Sequence, residues 1–198
     1  MHVELPSVIK NSAYKDKVFL QGMFYVFLIG MAFFQMFSIL PVYFKNVVGL
    51  NEAQIGALLA LNGLLIVLIE MVLVYKLENK RNIASYLFYG SLLMGAAFLS
   101  LNISPLLSIA CISMIIITFG EMLLFPFINT FWVKRSNDMN RGQYAAVFTI
   151  SFALANVLAP TGAALFASYA GFTYLWIADF VICALAGIGF LSLKKNLS

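Results

Sequence analysis

Six long apolar runs separated by short polar breaks organise the chain: Val18 to Phe44, Glu52 to Tyr75, Ala84 to Leu101, Pro105 to Trp132, Gln143 to Ser168 and Thr173 to Leu193. A helix needs about 20 mostly apolar residues to cross a hydrocarbon core roughly 30 Å thick, so each run predicts one transmembrane helix. Outer-membrane strands would instead alternate in segments of about ten residues. The punctuation is helical. Asn51 can cap the second span with Glu52 in its first turn, Pro105 fits the first turn of the fourth after Ser104, and Gly171 marks the turn before the sixth.

Composition removes the soluble alternatives. Of 198 residues 63% are hydrophobic and 10% charged, against about a quarter charged in soluble domains. Six spans use nearly the whole length and leave no room for a soluble domain. The fold class that follows is all-α integral membrane. Residues 1–17 read as a cytoplasmic leader, 18–193 as the six-helix bundle and 194–198 as a cytoplasmic tail. The leader is polar and the first apolar run is far longer than a signal-peptide core, so nothing there resembles a cleaved secretion signal.

Charge sets the orientation. Lys10, Lys15 and Lys17 precede span one, Lys76, Lys80 and Arg81 follow span two, Lys134, Arg135 and Arg141 follow span four, and Lys194 and Lys195 follow span six. Only Lys45 lies on the opposite side, which places both termini in the cytoplasm by the positive-inside rule. Tyr43, Phe44, Tyr174 and Trp176 stand near the outer ends and Tyr75, Tyr86, Trp132 and Tyr144 near the inner ones, as interfacial anchors do. The net charge of +4 is spread in small groups between apolar runs rather than along one face, so no nucleic-acid partner is expected. Cys111 and Cys183 lie inside apolar runs without metal-ligand spacing, so neither a disulfide nor a metal site is expected, and no cofactor motif is found.

This layout resembles one half of a major facilitator superfamily transporter. The outer turn LPVYFKNVVGLNEAQIGALLALNGLL, Leu40 to Leu65, resembles the join between that family's seventh and eighth helices, above all in its drug-efflux branch. YKLENKRN, Tyr75 to Asn82, takes the place of the family's cytoplasmic gating loop, with Glu78, Lys80 and Arg81 supplying the charges, although the loop's leading glycine is absent. FGEMLLFPFINTFWVKRSNDMNRGQYAAVF, Phe119 to Phe148, resembles the tenth and eleventh helices, with Arg141 and Gly142 opening the latter. The resemblance covers about residues 15 to 195. It implies two inverted three-helix repeats, half of a twelve-helix transporter in the plasma (inner) membrane, whose partner is a missing N-terminal six-helix half or a second copy. Residues 1–17 would then be a remnant of the central linker. Substrate in such proteins binds at mid-membrane between the halves, so spans one, two, four and five would face the cavity or the other half. Spans three and six would be lipid-facing props.

Ionisable groups buried in hydrocarbon cost about 2.5 to 3.5 kcal/mol on insertion scales and therefore line water or find partners. Glu121, near the middle of span four, is the first candidate for proton coupling, and Thr118, Phe125 and Asn129 share its helix face at spacings of three and four. The structural alternative is a carboxyl that hydrogen-bonds a neighbouring helix. Glu70, on the same face as Asn62, is the second candidate, with pairing to Lys76 or the inner basic loops as its alternative. Asp179 is assigned a packing or interfacial role. Gln21, Tyr25 and Gln35 give span one two amides and a phenol on one face, for substrate or for interhelical bonding, and Phe33, Phe34 and Phe37 offer a greasy lining. Pro126 and Pro160 are expected to bend spans four and five. Asn156, one turn before Pro160, either re-satisfies the freed carbonyls or faces the cavity.

The only histidine is His2, and no GxSxG, HExxH or phosphate-cradling glycine loop occurs, so an intramembrane enzyme is not expected. No filter-like glycine loop argues for a channel. The reading is secondary active transport of a small molecule, as proton-coupled efflux, with membrane lipid around the bundle. The rival is a non-catalytic membrane subunit that binds a partner protein through its helices.

Overall fold

The structure, a computed structural model, describes residues 12–78 and 80–194. Most of the expected leader and tail, with His2, Lys10 and Lys195, therefore lies outside the described residues. A 3₁₀ turn at Ala13–Lys15 leads into α1 (Lys17–Phe33), followed by the short α2 (Ile39–Tyr43), α3 (Glu52–Leu77), α4 (Ile83–Ser100), α5 (Leu107–Arg135), α6 (Arg141–Ala170) and α7 (Phe172–Ser192). Six stretches are long and apolar enough to cross a membrane: α1 with the turn after it, and α3 to α7.

Local chemistry sets the ends. Asp16 caps α1 by accepting from the Phe19 amide. Asn51 forms a full capping box with Gln54, each side chain bonded to the other's backbone amide. Helix α5 begins two residues later than expected, at Leu107, with Pro105 in the preceding turn. Gly49, at φ 78°, closes the π-helical turn Phe44–Val48 in a left-handed conformation open to glycine without strain.

The first span is not one continuous helix. It breaks into a 3₁₀ turn at Phe34–Phe37, then restarts after Ser38. Pro41 marks the position: it cannot donate to the Phe37 carbonyl and its ring crowds that group, which weakens the helix at residue 37. The Gln35 and Ser38 side chains bond the Met31 and Phe34 carbonyls instead. Pro126 and Pro160 lie inside α5 and α6, which are helical through both. Thr130 Oγ1 donates to the Pro126 carbonyl at 2.8 Å.

Packing follows an exchange symmetry. Helix α1 packs on α6 and α7, α5 packs on α3 and α4, and α4 packs on α7. Swapping the first three spans for the last three turns α1·α6 into α5·α3 and α1·α7 into α5·α4, and returns α4·α7 to itself. That is the contact pattern of two inverted three-helix repeats. The α4–α5 crossing is close because glycine meets glycine: a Cβ on Gly120 would stand 3.0 Å from the Met94 nitrogen and 3.1 Å from the Gly90 carbonyl. Helices α4 and α7 accordingly pack closely on each other, and α7 also presents Tyr174, Val181, Leu185 and Ile188 outward. Helices α3 and α6 bury few residues and present long apolar faces, including Val67, Met71, Tyr75, Val157 and Tyr169, each at least 70% exposed.

Several expected interfacial anchors are packing residues instead. Tyr43, Tyr86, Tyr144 and Trp176 are buried, whereas Tyr75 and Tyr174 are exposed. Tyr86 and Tyr43 donate their hydroxyls to the Leu77 and Leu101 carbonyls, at the ends of α3 and α4. Helix ends leave carbonyls without partners, and a phenol on a neighbouring helix satisfies them while its ring fills the core.

Candidate functional site

The strongest polar cluster inside the bundle joins α3 to α5. Asn62, one of the few buried residues of α3, donates through Nδ2 to Thr118 Oγ1 at 3.0 Å and to Glu121 Oε1 at 3.1 Å. Thr118 passes its own hydroxyl proton to the Met114 carbonyl, which leaves its oxygen free to accept. Glu121 is 3% exposed, and no arginine or lysine pairs with it among the described residues. A carboxyl held in this way by one neutral amide is suited to taking up and releasing a proton. Glu70, two turns from Asn62 along α3, is half-buried. It pairs with neither Lys76 nor another cation among the described residues.

Beside the acid runs a half-buried aromatic seam. Phe125, one turn after Glu121, meets Phe33 of α1 edge-on at 4.6 Å and Phe152 of α6 at 5.7 Å. Phe34 adds to Phe152 at 5.5 Å, and Phe148 and Trp132 carry the seam toward the α5–α6 connection. Amide and carboxyl chemistry thus sits next to an apolar, adaptable wall, the composition of a small-molecule site.

The expected stripes divide between this place and others. Thr118, Glu121, Phe125 and Asn62 converge. Asn129 is exposed and accepts from the Trp132 indole at 3.2 Å. The face of α1 bearing Tyr25 and Gln35 exists but turns to α7: Tyr25 lies over Gly189 and Phe190, and Gln35 donates to Asp179 at 2.8 Å. Gln21 and Asn156 are exposed. Asp179, expected in a packing or interfacial role, is 1% exposed and packs where the turn that follows α1 brings Gln35 against it.

At the end of the bundle where α1 begins, the charges assemble elsewhere than expected. Arg135 grips Asp16 with two bonds of 2.9 and 2.8 Å, the Tyr144 hydroxyl donates to the same carboxylate at 2.9 Å, and Gln143 accepts from the Ser12 hydroxyl and the Ala13 amide. This clasp ties the approach to α1 onto the α5–α6 connection. By sequence alone Arg135 is a topology charge and Asp16 has no assigned role; the signal for Asp16 is an acid directly before an apolar run, the place of a helix cap. The expected gate residues do not meet. Arg141 approaches Asp138 at 4.0 Å, and Arg81 lies over the Tyr89 ring at 5.8 Å. Lys80 and Arg81 stand at one end of an apolar groove of about 590 Å³ lined by Leu73, Leu77, Leu93 and Leu123, which Glu121 does not border. Glu78 is exposed. No group of three or more potential metal-ligating His, Cys, Asp or Glu side chains occurs among the described residues.

Known proteins share this architecture. The chain is 27% identical over 195 residues to a Na(+), Li(+), K(+)/H(+) antiporter of Planococcus maritimus, covering 82% of this chain and 45% of the antiporter. It superposes on a crystal structure of the peptide transporter POT in complex with sulfate with a TM-score of 0.80 at 21% identity, over 91% of this chain and 38% of that one. A POT family transporter in complex with 5-aminolevulinic acid gives 0.74 at 20% identity, over 91% and 42%. The chain therefore spans less than half the length of these relatives, as one six-helix half of the fold does. The sequence profile described as Major Facilitator Superfamily matches residues 3–160, and with this match the chain, an integral membrane protein, belongs to the Major Facilitator Superfamily.

Proposed function

We propose that this chain is the C-terminal half of a secondary transporter that moves a small molecule by alternating access, coupled to protons through Glu121. One observation carries the reading: a carboxyl 3% exposed, held by Asn62 across the α3–α5 interface without a cation partner among the described residues. Glu121 binds its proton while the interface is closed and exchanges it when the two helices part and water enters. Glu70 relays protons toward the cytoplasm. The aromatic seam with Asn62 and Thr118 contacts substrate, and Gln21, Asn129 and Asn156 complete the lining once the other half, or a second copy, closes over the exposed faces. Efflux by antiport is the favoured direction, in keeping with the name of the antiporter relative. Both termini lie in the cytoplasm, and the Asp16–Arg135 clasp, rather than Glu78, Lys80, Arg81 and Arg141, holds the inner side. The protein performs no covalent chemistry.

The exposed faces of α3 and α6 also suit a non-catalytic subunit bound to a partner's helices, but such a subunit has no need of Glu121. The two readings separate in vesicles carrying the complete transporter. Glu121→Gln is expected to abolish proton-driven movement while leaving substrate exchange intact. Equal transport by both forms would make the acid structural, and no transport by the unmodified protein would favour the subunit.

A further inference from the structure

Asp179 stands apart from the Glu121 cluster, between the broken end of the first span and α7. Its Oδ1 accepts a 2.8 Å bond from Gln35 Nε2, and the same nitrogen donates to the Met31 carbonyl at 3.1 Å. Both amide protons are thus committed, which fixes which end of the Gln35 amide is nitrogen. Gln35 Oε1 and Asp179 Oδ2 remain, both buried and both without a hydrogen-bond partner. Each is an acceptor. If Asp179 is ionised, a negative charge and two unsatisfied oxygens share one buried site, a costly arrangement.

The surroundings offer no countercharge. Gln35 is the polar group from another element that acts on Asp179, and no charged side chain of α1, α4 or α6 pairs with it among the described residues. Cys183, one turn further along α7, is a buried thiol packed on Gly95 of α4. Tyr43 reaches the region only through its ring on Trp176, its hydroxyl being given to the Leu101 carbonyl. Trp176 Nε1, one turn earlier on α7 and also without a partner, is the donor an ionised Asp179 would have to recruit.

We infer that Asp179 is a second proton-binding site, closing an acid–amide ring in which its Oδ2–H donates to Gln35 Oε1 while Gln35 Nε2–H donates to Oδ1. One proton satisfies both orphan oxygens and removes the charge. Gln35 belongs to the 3₁₀ turn where the first span breaks, so the proton latches that broken end to α7. Loss of the proton sets a carboxylate against an amide oxygen and releases the latch. The site is independent of Glu121 and of the transport reading.

The chain contains three aspartates, Asp16, Asp138 and Asp179, and the first two face arginines. Carboxyl-¹³C aspartate in the protein reconstituted into lipid bilayers therefore gives a readable solid-state NMR spectrum without any substitution. At neutral pH one resonance is expected at the position of a protonated acid. It should vanish in Asp179→Asn, whose amide can close the same ring, and shift without vanishing in Gln35→Leu. Three ionised carboxylates at neutral pH would overturn the inference. So would a resonance that stays ionised and moves on addition of Na⁺ or K⁺, which would give the site to a metal cation.

Discussion

Asn62 is the residue on which the candidate site turns, because its single amide serves both Thr118 and Glu121 across a helix interface. Asn62→Ala removes that donor and leaves the Glu121 carboxyl buried without it. Interhelical hydrogen bonds in membranes average about 0.6 kcal/mol and reach about 1.7, so a loss near the upper value is expected in reversible unfolding in detergent. Asp16 makes a different kind of contact. Its bond to Arg135 is bidentate and only 15–23% exposed, so Asp16→Asn should cost more than the ~1 kcal/mol of an exposed pair and less than the ~3–5 kcal/mol of a fully buried one. Arg135→Lys should not restore that loss, because an ammonium cannot reproduce the planar fork. Thermal unfolding of the three forms side by side checks both statements. Asn62 and Glu121 were readable as candidates from polarity inside apolar runs; that they bond one another was not, since nothing in either helix's own spacing says which neighbour its polar face meets.

The α4–α5 crossing depends on two backbones approaching at Gly90 and Gly120. A side chain at Gly120 meets backbone atoms of α4, which cannot rotate away. Gly120→Val is therefore expected to destabilise the bundle by about 1–3 kcal/mol as overpacking does, seen as a lower unfolding midpoint and faster proteolysis. Gly56 on α3 meets nothing within 4 Å, and Gly56→Ala should be neutral or stabilising by up to ~1 kcal/mol. The broken first span shows where element-level reading fell short. Pro41 carries the signal, but it sits near the end of an apolar run whose hydrophobicity continues to Phe44, so the run reads as one helix. Pro126 and Pro160 were equally visible, and α5 and α6 stay helical through both.

For the whole molecule the decisive feature is where apolar surface is left uncovered. Helices α4, α5 and α7 pack around their small residues, whereas α3 and α6 keep broad apolar faces outward. Contiguous faces of this kind mark contact with lipid or with another chain. If they receive the other half of a transporter, this chain reconstituted alone should show no substrate movement, and co-reconstitution with the matching N-terminal half should restore it. Transport by the chain alone, with a dimer seen at the same protein-to-lipid ratio, would instead assign those faces to a second copy.

The sequence by itself determined six membrane helices, with all but one of their bounds to within three residues. Those depend on the length of apolar runs, on caps such as Asn51, and on charges, all properties of residues close together along the chain. Only the tertiary structure decided that Asn62 serves Glu121, that Tyr25 and Gln35 turn to α7, that Asp179 is buried, and that Asp16 and Arg135 form a clasp. Each of these joins residues at least 59 positions apart in different helices, such as the 144 between Gln35 and Asp179. In a chain whose helices are apolar on nearly every face, periodicity does not say which face meets which neighbour; the close approach allowed at Gly90 and Gly120 and the break before Pro41 do.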